Sequence, residues 1–271
     1  MKDSDCVMFL QWALPRIHLR WPGFRKVRRQ VCKRIQRRIR QLGLKDINAY
    51  QEFLLRQSGE WGVLDNMCRI TISRFYRDKK VFEVLQQCVL PELALRAGDR
   101  GDNHLHLWSI GCASGEEPYT LAMLFKIHLQ AQLPDIDYRI LATDSDPNML
   151  ERAGQACYPQ GSLKNLPVDW RDTVFTEIDH QFCLKPEIKH RVRFMHHDVR
   201  DKAPDGLFDL IMCRNLVLTY FDQQLQCQVL ERIRQGLVLG GILVVGIHEY
   251  LPDGVSGFSD YFNKLGIYQA T

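Results

Sequence analysis

The sequence predicts an α/β protein: a mostly parallel, doubly wound sheet preceded by a small basic helical domain. Three observations lead there. From Leu105 onward, short apolar runs alternate with helical stretches, the pattern of strands joined by crossover helices. The first run ends in a glycine turn, Gly111-Cys112-Ala113-Ser114-Gly115. Ahead of it lies an amphipathic, arginine-rich segment whose charge is opposite to that of the rest of the chain.

The size is compatible with one large domain, or with a catalytic domain and a small companion: 271 residues, 45% of them hydrophobic and 25% charged. The longest apolar stretch, Leu237 to Ile247, is interrupted by Gly240-Gly241. It is far shorter than the roughly 20 residues a spanning helix needs, so no membrane insertion is expected. The N-terminus lacks an apolar region followed by a small-residue cleavage site, and a cytoplasmic location is expected. The nine cysteines are odd in number, widely spaced and without a CxxC pair. They are expected to be separate buried thiols in a reducing compartment, forming neither a disulfide framework nor a metal site.

In the head, Phe24, Val27, Val31, Ile35, Ile39 and Leu42 recur at three- and four-residue spacing and make one apolar helical stripe. Arg25, Arg28, Arg29, Lys33, Arg37 and Arg40 occupy the other faces, Pro22-Gly23 precedes the helix, and Gly43 ends it. Further helices are expected over Ile47 to Gln57 and Glu60 to Thr71. Between Cys6 and Lys45 there are twelve Lys/Arg and no acid, whereas the remainder carries 24 basic and 32 acidic residues. The basic face reads either as the solvated side of a helical bundle or as a dock for an acidic partner. No aromatic residues interleave the arginines, which favours an acidic protein over nucleic acid.

Beyond residue 100, strands are expected at Leu105 to Ile110, Asp137 to Thr143, Val192 to Met195, Phe208 to Cys213, Ile242 to Gly246 and Gly266 to Gln269. Helices are expected at Glu116 to Gln130, Asp146 to Ala153 and Asp222 to Leu237. Tyr158 to Arg191, with Pro159, Pro167 and Pro186, breaks the alternation and reads as an inserted subdomain. Ligands of such sheets bind at the carboxyl ends of the strands, where the glycine turn sits. The turn lacks the G-x-G-x-x-G pattern of dinucleotide enzymes, and it is followed by Glu116 and Glu117. Two carboxylates there repel a pyrophosphate and suit a ligand carrying positive charge. Acids in a first helical turn also have a purely structural reading. Asp144 ends the second strand, where an acid commonly binds ribose hydroxyls, although an acid there also serves as a helix cap. Asp198, after the third strand, lies at the same edge and is placed to accept from an adenine amino group. His196-His197-Asp198 alternate across a strand and are not read as metal ligands. A ribose acid, an adenine contact and carboxylates for a cation together describe S-adenosylmethionine, which has no phosphate.

Four motifs then resemble one family in its own order along the chain. They are Ser109-Ile110-Gly111-Cys112-Ala113-Ser114-Gly115-Glu116-Glu117-Pro118-Tyr119-Thr120, Phe208-Asp209-Leu210-Ile211-Met212-Cys213-Arg214-Asn215, Ser73-Arg74-Phe75-Tyr76-Arg77-Asp78, and the basic helix with Arg37-Arg38 and Leu42-Gly43-Leu44. The chain resembles the CheR-type chemoreceptor methyltransferases, which are protein-glutamate O-methyltransferases. The resemblance implies a Rossmann-like class I methyltransferase sheet with a small N-terminal helical domain (residues 1–75) and a catalytic domain (76–271). It also implies a small inserted β-subdomain at 158–191. S-adenosyl-L-methionine is the implied cofactor. Its contacts are implied at Thr71, Ser73, Arg77, Gly111, Glu117, Asp144, Met149, Asp198, Val199, Arg214 and Asn215. Arg77, Arg214 and Tyr220 are the implied catalytic group, with no metal. The chain departs from the family at Thr71, where an Asn is usual, at an extra residue near Thr219 that shifts Tyr220, and at Gly246-Ile247-His248-Glu249.

A glutamate acceptor, with a pKa near ~4.3, is already ionised at neutral pH and needs no base. A planar guanidinium at Arg77 suits the grip of its carboxylate. A small-molecule hydroxyl or amine acceptor needs a base, for which His248 beside Glu249 is the candidate. A third reading is a binding module whose cofactor site is vestigial. Of Phe75 and Tyr76, one is expected in the core. The expected partners are an acidic protein surface or receptor helix as methyl acceptor, or a small-molecule acceptor.

Overall fold

The computed structural model describes residues 2–271. The chain forms two compact units. The first runs to Ile70 and includes Leu216–Gln226, and the second holds Thr71–Asn215 and Cys227–Thr271. The sequence places a boundary at 75/76, and the units divide five residues earlier, at Ile70/Thr71.

The first unit is helical, with helices at Asp3–Ala13, Arg28–Gln41, Ile47–Arg56 and Glu60–Cys68. Four residues of the expected stripe, Phe24, Val31, Ile35 and Ile39, are buried, together with Tyr50, Leu54 and Leu64, while Val27 and Leu42 are half-buried and Pro22-Gly23, expected ahead of the helix, lie in a separate short helix at Trp21–Phe24. Asp46 caps the third of these helices, accepting from the Ala49 amide at 3.0 Å. The helix Asp3–Ala13 carries no clean apolar period and was not expected. Leu216–Gln226 joins this unit through the backbone, since the Arg20 amide donates to the Tyr220 carbonyl at 2.8 Å and Leu19 bridges Phe221. Gly23 permits that approach: a Cβ there would lie 2.2 Å from the Thr219 carbonyl oxygen. The Glu60 carboxylate, 6% exposed, accepts from Arg38 at 2.8 and 2.7 Å and from the Tyr50 hydroxyl at 2.9 Å.

The second unit is built on a sheet of seven strands. These are β1 (His104–Ile110), β2 (Asp137–Asp144), β6 (Val192–His196), β7 (Phe208–Met212), β8 (Leu237–Val244), β9 (Phe258–Phe262) and β10 (Ile267–Ala270), in the order β6-β2-β1-β7-β8-β10-β9. The first five positions in that order are parallel, and β10 and β9 are antiparallel additions. This is the Rossmann-like sheet that the resemblance implied. From β1 the chain winds outward through β2 to β6 and then returns to β7 on the other side. The switch point therefore lies between β1 and β7, and the loops after these two strands form its rim. Every residue of β7 is buried, as a central parallel strand covered on both faces requires.

The helix after β1 spans Glu116–Leu124 and continues as a π turn to Leu129. The sequence pattern does not reveal the helices Lys79–Val84 and Leu90–Asp99, joined by a π turn at Leu85–Val89. The inserted segment carries a second, antiparallel sheet of β3 (Cys157–Tyr158), β4 (Phe175–Ile178) and β5 (Gln181–Leu184), in the order β3-β5-β4. Its strands are too short and too exposed to show a period.

The cysteines require a correction. Cys6 is bonded to Cys32, and Cys157 to Cys183. The first pair joins two packed helices of the first unit. The second faces across β3 and β5, where the two residues are register partners. Cys68, Cys88, Cys112, Cys213 and Cys227 are free thiols. No helix among the described residues is long and apolar enough to cross a membrane.

Candidate active site

The glycine turn after β1 holds three residues in the left-handed region: Gly111 (φ 68°), Ala113 (φ 48°) and Gly115 (φ 90°). At Gly115 a Cβ would meet Ala153, Tyr119 and Phe194 at 3.1 to 3.2 Å, so glycine is required by both conformation and space. The turn is tied to the end of β2. The Cys112 amide donates to the Thr143 carbonyl at 3.0 Å. Ala113 N–H donates to one oxygen of Asp144 at 2.8 Å, and the Asp146 amide donates to the other at 2.9 Å. The Asp144 carboxylate is thus oriented by two backbone amides beside the turn.

The two acids that open the next helix differ. Glu116 is 3% exposed, and both its oxygens accept from the Ser114 hydroxyl, at 3.0 and 2.9 Å. Burial pushes its carboxyl above the usual range, partly offset by backbone and serine hydrogen bonds, one of them from Ser73. Glu117 points toward the rim. Its oxygens accept from the Ser109 hydroxyl at 2.9 Å and from Arg214 at 3.2 Å.

Arg214 follows β7 across the switch point, and its side chain is 2% exposed. Its guanidinium donates to Asp78 at 2.5 Å and to the Arg77 carbonyl at 3.1 Å, and it lies 5.4 Å from the centre of the Phe82 ring. Its Nε has no partner among the described residues. One guanidinium against two carboxylates, Asp78 and Glu117, leaves an excess negative charge at the rim. The cluster suits a ligand with a cationic amino group. With Asp144 oriented at the end of β2, the acids gathered here fit S-adenosyl-L-methionine.

The expected site residues are distributed as follows. Thr71 and Ser73 lie in an irregular segment before a turn at residues 75–78, and the Arg77 guanidinium donates to the Ile72 carbonyl at 3.4 Å. Arg214 is bonded to Glu117 and to the Arg77 carbonyl, while Asp144 is bonded to the glycine turn that Gly111 opens. Asn215, with φ 54°, follows Arg214. Met149 sits half-buried on the helix Pro147–Gln155 after β2, and Val199 is buried after β6. Asp198 is held by Arg200, whose Nε and Nη2 donate to its two oxygens at 2.9 and 2.6 Å. Its carboxylate is therefore engaged by a cation, where the sequence reading had an adenine contact alone. His196 and His197 bond to the carbonyls of Ser145 and Lys202, at 3.1 and 2.9 Å. Tyr220 belongs to the first unit, on the helix Val217–Tyr220, and its ring lies 5.0 Å from that of Phe24.

Two expectations are corrected here. Phe75 and Tyr76 are both buried, at 0% and 3% exposure. Their rings pack on Tyr158 and Phe175, and on Phe82 and Trp170, respectively. His248 is exposed while Glu249 is buried. The Glu249 carboxylate accepts from backbone amides, Asn215 at 2.8 Å and Gly246 at 2.7 Å.

The sequence reading missed Asp78, Ser109, Tyr158 and the role of Glu249. The Tyr158 hydroxyl donates to the Ser114 carbonyl at 2.6 Å and so ties the inserted sheet to the glycine turn. Asp78, Tyr158 and Glu249 are distant in sequence from Arg214, Ser114 and Asn215, whereas Ser109 lies eight residues from Glu117, and the only signal for Ser109 and Asp78 was their place inside recognised motifs.

Residues 71–266 match the family model described as CheR methyltransferase, SAM binding domain. The chain is 32% identical over 245 residues to a probable chemotaxis protein methyltransferase of Rhizobium etli, covering 88% of each chain. It is 34% identical over 201 residues to a chemotaxis protein methyltransferase of Listeria monocytogenes, covering 73% of each. The N-methyltransferase NodS of Bradyrhizobium japonicum, solved with S-adenosyl-L-homocysteine, overlaps 63% of each chain at 17% identity and a TM-score of 0.33, a similarity too slight to carry weight.

Proposed function

The chain belongs to the CheR methyltransferase family, and on that premise we propose that it methylates the side-chain carboxylate of a protein glutamate. The product is an O-methyl ester. The observation that carries the acceptor is a cationic stripe on the helix Arg28–Gln41. Arg29, Lys33, Arg37 and Arg40 are exposed at four- and three-residue spacing, which aligns them along one side of the helix. Arg28 and Arg38, on other faces, pair with acids of the same unit, Asp3 and Glu60. The stripe is complementary to a helix rich in glutamate. The Rhizobium and Listeria relatives are named chemotaxis protein methyltransferases, which supports a protein acceptor.

Bound S-adenosyl-L-methionine would supply an electrophilic methyl on its sulfonium, and an ionised carboxylate acceptor has no proton to be removed. The protein's task is orientation. Asp144 would hold the ribose hydroxyls and Glu117 the amino group, with Arg214 fixing Glu117 in place. Arg77 is the residue assigned to the acceptor carboxylate. Its bond to the Ile72 carbonyl, at 3.4 Å, is long enough to exchange for a carboxylate at little cost. A hydroxyl or amine acceptor would need a base, and the candidate for it, His248, is exposed, while the Glu249 carboxylate accepts from the Asn215 and Gly246 amides.

Charge reversal of the stripe tests the acceptor assignment. Arg29→Glu, Lys33→Glu and Arg37→Glu together should leave binding of S-adenosyl-L-homocysteine unchanged and raise the KM for a glutamate-bearing helical peptide at least about tenfold. An unchanged KM would remove the stripe, and with it the main support for an acidic protein acceptor.

A further inference from the structure

We propose that Glu249 is a positioning residue of the methyltransferase site, acting on the cofactor through Asn215. Glu249 lies just beyond β8, and Asn215 just beyond β7. These strands are neighbours in the sheet, so their carboxyl ends bring together two loops that are 34 residues apart in sequence.

A single oxygen of Glu249, Oε2, accepts from the Asn215 amide at 2.8 Å and from the Gly246 amide at 2.7 Å. The residue is 5% exposed. A carboxylate is costly to bury and strengthens each hydrogen bond it accepts, so this one bonds two loop amides firmly. Asn215 is held at φ 54°, a conformation that Asn tolerates better than most residues but that still needs support from its surroundings. The third component is Gly246. A Cβ there would stand 2.6 Å from the Asn215 side-chain nitrogen and 2.7 Å from Glu249 Oε2. The two side chains therefore occupy the space that glycine leaves open. Glu249, Gly246 and Asn215 form one knot, and the backbone of Asn215 continues directly into Arg214, which grips Glu117 and Asp78.

The inference rests on the assignment of Asn215 to the cofactor site. It is tested by binding, so a failure to methylate a protein glutamate would leave it standing. Calorimetric titration with S-adenosyl-L-homocysteine is made on the full chain and its variants, with the thermal midpoint of each recorded. Glu249→Ala should weaken binding by about tenfold or more. Glu249→Gln, which keeps an acceptor oxygen in the same place, should recover most of that loss. In an Asn215→Ala background, Glu249→Ala should add nothing, because the side chain that it positions is gone. If Glu249→Ala does not fold, Gly246→Ala disturbs the same knot and is compared with and without Asn215→Ala, with the same non-additive result expected. Wild-type affinity in folded Glu249→Ala, or losses that simply add in the double variants, would overturn the assignment.

Discussion

The Arg214 guanidinium, with its side chain 2% exposed, donates to the Asp78 carboxylate at 2.5 Å. This bond joins the loop after β7 to the turn that carries Arg77. The same guanidinium reaches Glu117 on the opposite side of the switch point, so one buried cation ties the loop after β7 both to the helix after β1 and to the turn at residues 75–78. Arg214 is thereby read as the cation that fixes the acids, and Arg77, whose side chain is freer, as the cation for the acceptor.

Removing that cation should be expensive. Arg214→Ala leaves two carboxylates facing each other without compensation, and a broken buried ion pair typically costs about 3–5 kcal/mol. Denaturant unfolding should show a loss of that order, together with weakened cofactor binding. Arg214→Lys, with one compact ammonium in place of a fork, should recover only part of it.

Asp144 is oriented by two amides, and in the proposed site it would accept from the ribose hydroxyls of the cofactor. Asp144→Ala should weaken S-adenosyl-L-homocysteine binding on the order of 10- to 100-fold, the range expected for hydrogen bonds to a charged group. Asp144→Asn keeps an acceptor for only one of the Ala113 and Asp146 amides and should lower the unfolding midpoint by less than Asp144→Ala does. Titration calorimetry and thermal melts separate the two effects.

In the helical unit, hydrogen bonding by Arg38 holds the Glu60 carboxyl below the usual range, assisted by the Tyr50 hydroxyl and opposed by burial. A carboxylate with a lowered folded pKa stabilises above its unfolded pKa, near ~4.3, and the stabilisation disappears as pH falls through the folded value. Arg38→Ala should therefore cost about 2 kcal/mol at neutral pH, and the difference from wild type should shrink below about pH 4. Urea unfolding at several pH values measures this.

Thiol titration in denaturant checks the cysteine pairing. Without reductant, the five cysteines Cys68, Cys88, Cys112, Cys213 and Cys227 should react. Reduction should release four more, from the pairs Cys6–Cys32 and Cys157–Cys183. Nine reactive thiols before reduction would contradict the pairing.

The parallel sheet was legible because its strands are short apolar runs closed by glycine or aspartate, as at Ile110-Gly111 and Thr143-Asp144. The site was legible where it is local. Glu117 belongs to the glycine turn's own motif, and Asp144 ends a strand. What escaped depends on which strand ends are neighbours. The bond from Asn215 to Glu249 exists because β7 lies beside β8, and the bond from Tyr158 to Ser114 because the inserted sheet folds back on the turn. Both disulfides join cysteines 26 residues apart. In one of them the pairing follows from the β3–β5 register, which no local pattern fixes. Asp198 shows the same limit, since its position at a strand end was evident but its capture by Arg200 was not.

A glutamate carboxylate acceptor is distinguished from any other by the chemical stability of the transferred methyl group. The purified chain is incubated with methyl-labelled S-adenosyl-L-methionine and a chemoreceptor helical-bundle fragment, and the labelled protein is then treated with mild alkali. Label should appear on the fragment and be released by alkali as methanol, and no label should appear when the accepting glutamates are replaced by alanine. Label that survives alkali, or no transfer to the fragment by a chain that binds S-adenosyl-L-homocysteine, would contradict a glutamate acceptor.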